Sequence, residues 1–253
     1  MMDAGPREDR VPQGGILSDG PQECPCTSPQ RQFWLLDQLN PGDPVLNVAV
    51  RWRLEGQVSL ERLTQSFEAV IQRHESLRTG LTESAEGVVQ QIFPRVPFRL
   101  AVSDLRGEAD LEAAAEGRAM AEARRPFELA VPPLLRATLL RVEDRIYHLL
   151  VTIHHAVCDG WSVGVLAEDI ATHYDAVCGA GPTPAPLPLQ YGDYALWQQA
   201  WLASEAPRRA EAYWTQQLAR APWFEVLPDR PRLPVVTSSG HIVSTLLPRA
   251  LTD

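Results

Sequence analysis

The chain has 253 residues, 45% of them hydrophobic, which is enough for one large or two ordinary domains with a sizeable core. Its formal net charge of -9, with all 23 basic positions Arg, argues against a nucleic-acid binder, since such proteins ordinarily turn a basic face to phosphate. No run approaches the roughly 20 apolar residues that a bilayer crossing needs, and MMDAGPREDR lacks the apolar stretch of a secretory signal, so no membrane association is expected and the cytoplasm is the expected compartment.

Residues 1–26 are rich in Gly, Pro, Asp and Gln without hydrophobic periodicity and read as a flexible tail. Folded structure is then expected from Thr27. SPQRQFWLLDQL (28–39) predicts a short helix capped by Ser28, with Pro29 at its first position and Phe33, Leu36 and Leu39 on one stripe. VLNVAVRWRL (45–54) alternates Leu46, Val48, Val50, Trp52 and Leu54 with polar residues and predicts a strand. Ser59 then caps a helix whose stripe is Leu60, Leu63, Phe67, Val70 and Ile71 and which runs to about Ser76, followed by strand-like runs at 88–93 and 96–102.

An Ala-, Glu- and Arg-rich helix is expected over 109–125, ending before Pro126. LLRATLLRV (134–142) and IYHLLVTIHH (146–155), separated by Glu143-Asp144-Arg145, predict an antiparallel hairpin. A helix follows Gly160 and stops near Gly179; 179–190, with its four prolines, reads as a linker between lobes. Beyond it, YGDYALWQQAWL and RRAEAYWTQQL carry aromatic residues at helical spacing, 227–236 reads as extended chain and HIVSTLLP (241–248) as one more strand. Mixed helices and strands with a hairpin predict an α/β sandwich rather than a doubly wound sheet, and no GxGxxG or P-loop supports nucleotide binding.

The chemistry is expected at the end of the second hairpin strand. Side chains alternate across a strand, so His155 shares a face with Tyr147, Leu149, Val151 and Ile153, while His154 shares the other with His148, Leu150 and Thr152. The two histidines therefore diverge: His155 can emerge into a cleft while His154 packs. An imidazole titrates near neutral pH and suits proton transfer. Asp159, four residues on, either orients an imidazole or braces the loop, and Gly160 is expected to permit a tight reversal before the next helix. Of the four cysteines, Cys24 and Cys26 lack the spacing and second ligand pair of a zinc site, and a disulfide framework is not expected.

HHAVCDG (154–160) matches the HHxxxDG signature and continues into WSVGVLAEDIATHYDA. TSPQRQFWLLDQLNP, RHESLRTGL (73–81) and YGDYALWQ (191–198) are similar to the first, second and fourth core motifs of the same family, in the correct order, and PFELAVPPLLRATLLR looks like its approach to the histidine strand. On these residues the chain resembles the condensation domains of nonribosomal peptide synthetases.

That resemblance implies a chloramphenicol acetyltransferase-like two-layer α/β sandwich, with two lobes forming a V around a tunnel. It implies amide formation between acyl or peptidyl and aminoacyl thioesters carried on the 4'-phosphopantetheine arms of donor and acceptor peptidyl carrier proteins, alongside an adenylation domain of the same assembly line. No cofactor or metal of the domain's own is implied. His155 would be the catalytic residue, deprotonating or positioning the amine or stabilising the tetrahedral intermediate. His154, Asp159, Gly160 and Arg78 would support the motif: Asp159 by holding the loop, Gly160 by leaving room or a backbone donor near the reacting carbonyl, Arg78 as partner of the motif's carboxylate or as a solvated helix-end arginine. GWSVG is similar to a standard condensation domain rather than an epimerisation one. Cys158 departs from the small residues usual at its position and is expected to act in packing. By this reading 27–178 is the first lobe, complete, and 191–253 the incomplete opening of the second. The rival expectation is a noncatalytic module that docks a carrier protein or another enzyme.

Overall fold

The computed structural model describes residues 20–85, 87–222, 224–225, 227–231 and 245–251. They fall into two units, one running to Ala203 and the other from Ser204.

The first unit is built on a four-stranded sheet. Its strands are β2 (Asn47–Glu55), β5 (Ala101–Asp104), β6 (Leu135–Arg141) and β7 (Ile146–His154), in the order β2-β7-β6-β5. β7 pairs antiparallel with β2, Asn47 opposite His154, and with β6, Leu135 opposite Ile153, so the expected hairpin is present. β5 lies parallel to β6. A parallel pair needs a crossover, and α3 (Leu111–Arg124), capped by Asp110, supplies it.

Period-2 alternation decides which face each residue meets. Leu149, Val151 and Ile153 of β7 join Leu135, Ala137 and Leu139 of β6 against Leu63, Phe67, Val70 and Ile71 of α2 (Leu60–Arg73) and Leu166 and Ile170 of α4 (Gly160–Val177). Leu140 and Leu150 face the other way, into a smaller cluster with Ala115 of α3. The expected α/β sandwich is thus present, with α3 covering part of the opposite face. α2 follows its expected stripe, and Ser59 Oγ accepts from Arg62 N to cap it. After Arg73 the chain tightens into a single 3-10 turn, Glu75–Arg78, instead of continuing as helix to Ser76.

A second sheet of three strands has the order β1-β4-β3, with β1 (Gln22–Pro25), β3 (Thr79–Ser84) and β4 (Gly87–Ile92). β1 corrects the expected tail: folded structure begins inside 1–26, because Gln22–Pro25 pairs along β4 and buries Cys24 against Ile92 and Ala195. β3 was not expected either. Gly80 is required within it, since a Cβ there would lie 2.8 Å from Ala130 O, and Leu81 N donates to Leu129 O at 2.7 Å. The strand expected at 96–102 is irregular until Ala101, where pairing with β6 starts.

α1 (Ser28–Leu39) lies between the two sheets in sequence, and Thr27 rather than Ser28 caps it, in a capping box with Gln30. Leu36 and Leu39 are exposed, and the residue α1 buries is Gln30. The Pro-rich stretch 179–190 is irregular, but α5 (Tyr191–Leu202) returns to the first unit, burying Gly192 and Ala195. Gln190 holds that return: its Nε2 donates to Arg73 O at 2.9 Å and its Oε1 accepts from Glu75 N at 3.0 Å.

The second unit carries α6 (Glu205–Leu218), capped by Ser204, whose Oγ accepts from Ala206 N at 3.3 Å. Of the extended stretch and strand expected over 227–236 and 241–248, residues 232–236 and 241–244 lie outside the described residues. No helix among the described residues is long and apolar enough to cross a membrane.

Candidate active site

β7 delivers its two terminal histidines to different surroundings. His154 is buried; its Nδ1 accepts from Ala156 N at 3.1 Å, and its ring lies edge-on to Phe127 at 6.1 Å. Burial, and secondarily the neighbouring His155, push its pKa down to about 4, so it is neutral near pH 7. The unfolded side chain titrates near 6.5. The native state therefore resists protonation, and this share of stability is complete above about pH 6.5 and lost as pH falls toward 4, at up to about 1.4 kcal/mol per pH unit. Urea unfolding at pH 7, 6 and 5 is expected to show that slope in the wild type and a shallower one in His154→Asn; identical slopes would assign the acid sensitivity to another group.

His155 lies just past the strand. Its backbone N–H donates to Leu46 O at 2.8 Å, which fixes the turn, and its half-buried ring faces Phe33 with centroids 5.0 Å apart. The ring lines a cleft of about 330 Å³ whose other walls include Gln30 and Phe33 of α1, Ser76, Asp159 and Tyr191. That volume is at the lower end of the roughly 300–1,000 Å³ usual for small-ligand sites.

Asp159 is placed to brace the loop. It is the N-cap of α4: Oδ1 accepts from Ser162 N at 2.8 Å and from Ser162 Oγ at 2.6 Å, and these bonds hold its carboxyl below the usual range. Asp159→Ala is expected to cost about 0.5–2 kcal/mol through the lost cap, read as a lower melting temperature. Asp159→Ser, which can still cap, is expected to recover most of the stability and turnover; recovery of stability alone would give the carboxylate a direct chemical part.

Two supporting residues need correction. Gly160 makes no tight reversal. It is the first residue of α4, it is not among the positive-φ glycines, and open space surrounds its Cβ direction, because the Asp159 cap turns the chain. Arg78 is neither the partner of Asp159 nor solvated. Its side chain is 12% exposed, Nη1 donates to Phe93 O at 2.5 Å and Nη2 to Glu75 at 3.3 Å, because the 3-10 turn aims it at the end of β4.

Cys158 is buried, and burial, then nearby Asp159, push its thiol up to about 11, which suits packing rather than nucleophilic attack. Cys24 and Cys26 sit in different apolar clusters, with thiols pushed up to about 11 and about 12, chiefly by burial. No group of three or more metal-ligating side chains occurs among the described residues.

Sequence reasoning missed the buried amides. Gln30 Nε2 donates to Gln90 Oε1 at 3.0 Å and to Ala156 O at 3.4 Å, tying α1 to the turn after His155, while Gln90 Nε2 donates to Pro25 O at 2.9 Å. Tyr191, hydrogen-bonded to Thr27 Oγ1 at 3.1 Å, was also unassigned. The signal that could have found Gln30 was Thr27-x-x-Gln30, a capping box in the sequence.

An α/β sandwich with this histidine pair at a strand end defines a class, and the chain belongs to it: the condensation-domain family, whose model matches residues 21–253. The chain is 38% identical over 236 residues to a linear gramicidin synthase of Brevibacillus parabrevis, covering 92% of this chain and 3% of that one. It is 39% identical over 238 residues to phosphinothricin tripeptide synthetase PhsC of Streptomyces viridochromogenes, covering 92% and 22%. The starter condensation domain of rhizomide synthetase RzmA, solved as a mutant with C8-CoA and Leu-SNAC, aligns with a TM-score of 0.76 at 25% identity, over 83% of this chain and 48% of that one. The fold is the chloramphenicol acetyltransferase-like one of condensation domains. The chain spans a small part of these synthetases and 48% of the solved domain.

Proposed function

We propose that this chain contributes the catalytic histidine to peptide-bond formation in nonribosomal synthesis. The donor is an acyl or peptidyl thioester and the acceptor an aminoacyl thioester, each on the phosphopantetheine arm of a carrier protein; adenylation domains of the same assembly line charge those carriers. The domain supplies no cofactor of its own in this scheme. The acceptor nitrogen attacks the donor carbonyl, a C–N bond forms, the C–S bond breaks, and the proton lost by nitrogen ends on the departing thiol. The reading gives His155 that proton to take or to hold in place. It rests on one observation: His155 lines the cleft while His154 is buried and neutral. A cytoplasmic setting suits the four free thiols.

The test supplies the full-length protein with donor- and acceptor-loaded carrier proteins and reads the amide product by mass spectrometry. Product that depends on both carriers supports the proposal. Carrier binding without product would favour the docking module, and turnover of free coenzyme A thioesters without carriers would indicate a stand-alone acyltransferase.

A further inference from the structure

A second cavity, of about 120 Å³, adjoins the His155 cleft. The two share Ser76, Val157, Cys158 and Ser162 as walls, so they lie side by side. Past the shared rim the smaller cavity is lined by Leu77, Val165 and Leu166, with His74 beside them. It is therefore a side chamber where the turn after α2 meets the first turns of α4.

The walls are fixed. His74 Nε2 is 2.5 Å from Asp169 Oδ2 on α4, and Arg73 Nε donates to the same oxygen at 3.1 Å. These three side chains are only 16–19% exposed, so they pin α2 to α4 behind the chamber. Asp169 is already shared between two donors, and Cys158 is held as a thiol. A charged group entering the chamber would lose water against Leu77, Val157, Val165 and Leu166, at a cost. An apolar group would gain from contact with Leu77, Val157, Val165 and Leu166.

We infer that this chamber receives the side chain of a carrier-bound substrate residue while its thioester lies beside His155, and that the side chain it fits is aliphatic, of Val or Leu size. The inference rests on the reading under Proposed function. Size is the match: a cavity of roughly 150 Å³ holds a benzene-sized ligand, and this one, of about 120 Å³, suits a branched aliphatic side chain.

The experiment uses the full-length protein, as wild type, Val165→Phe and Val165→Ala. Val165 lines the chamber but is 40% exposed, so both variants can fold, which a melting curve checks. Amide formation is measured with aminoacyl N-acetylcysteamine thioesters of Gly, Ala, Val, Leu, Phe and Glu, donor and acceptor varied in turn. A methylene in an apolar pocket is worth about tenfold or more in discrimination, so wild type is expected to prefer Val or Leu over Gly by at least about tenfold in kcat/KM at one of the two positions. Val165→Phe should lower the Leu-to-Gly ratio by at least that factor, and Val165→Ala should move the optimum toward Leu or Phe. A flat wild-type profile, a preference for Glu, or the same ranking in all three proteins would overturn the inference. If no pair turns over, binding of Leu N-acetylcysteamine thioester is compared by NMR titration. Weaker binding by Val165→Phe then upholds the chamber while rejecting amide formation, and equal binding rejects both.

Discussion

Replacing His155 by alanine is expected to lower amide formation by about 10²–10⁴-fold, the usual contribution of a positioned proton-transfer group, with the fold intact. The structure gives a reason for both halves. The anchor of the turn is the backbone N–H of residue 155 on Leu46 O, which alanine keeps, and the ring lost is half-buried in the cleft. Its neighbour His154, which carries the packing, is untouched. Single-turnover rates with loaded carrier proteins, beside melting curves, are the measurement. His155→Gln separates the roles, since an amide donates a hydrogen bond but takes no proton at neutral pH. Activity retained by Gln and lost by Ala would make His155 a positioning or intermediate-stabilising group, and unimpaired turnover in Ala would remove it from the mechanism.

The largest expected effect on stability is that of Phe67→Ala. Phe67 has no exposed surface, stacks on Phe98 with ring centroids 5.1 Å apart, and sits where α2 meets β6, β7 and α4. Truncating a buried Phe costs about 3–5 kcal/mol, the transfer of its ring plus the cavity left behind. For a unit of this size that is a drop of roughly 6–20 °C in melting temperature. Phe67→Leu, which fills most of the space, is expected to cost far less. A loss below about 1 kcal/mol in the alanine variant would mean that the core closes around the site more freely than close packing allows.

Where local pattern and tertiary role agree, the fold was legible in the sequence. β7 reads as a strand buried on both faces, its residues divided by period 2 between two clusters, and the stripe of α2 faces the sheet as its spacing requires. The same alternation separates His154 from His155, so the centre of the candidate site could be read from two residues. β1 and β3 could not. QECP and TGLTES have weak strand composition, and they become strands through pairing with β4, which is a non-local effect. Arg78 and Gly160 were misread for a related reason. The direction of an arginine in a 3-10 turn, and whether a glycine turns the chain or merely starts a helix, depend on backbone angles that residue identity does not carry. The place of α5 was hidden likewise: its aromatic spacing gives the helix, whereas the contacts of Gln190 with Arg73 and Glu75 decide which unit it joins.

Because Gln190 grips the chain at Arg73 and Glu75, the two ends of the stretch 179–190 are held independently of what lies between them. Closure entropy grows slowly with loop length, so doubling that stretch would cost only about 0.6 kcal/mol. The segment from His154 to Ser162 has no such latitude, since one added residue would pull Asp159 from its cap or His155 from Leu46. Insertions and deletions among natural variants of this chain should accordingly collect in the proline-rich stretch and spare the turn after β7.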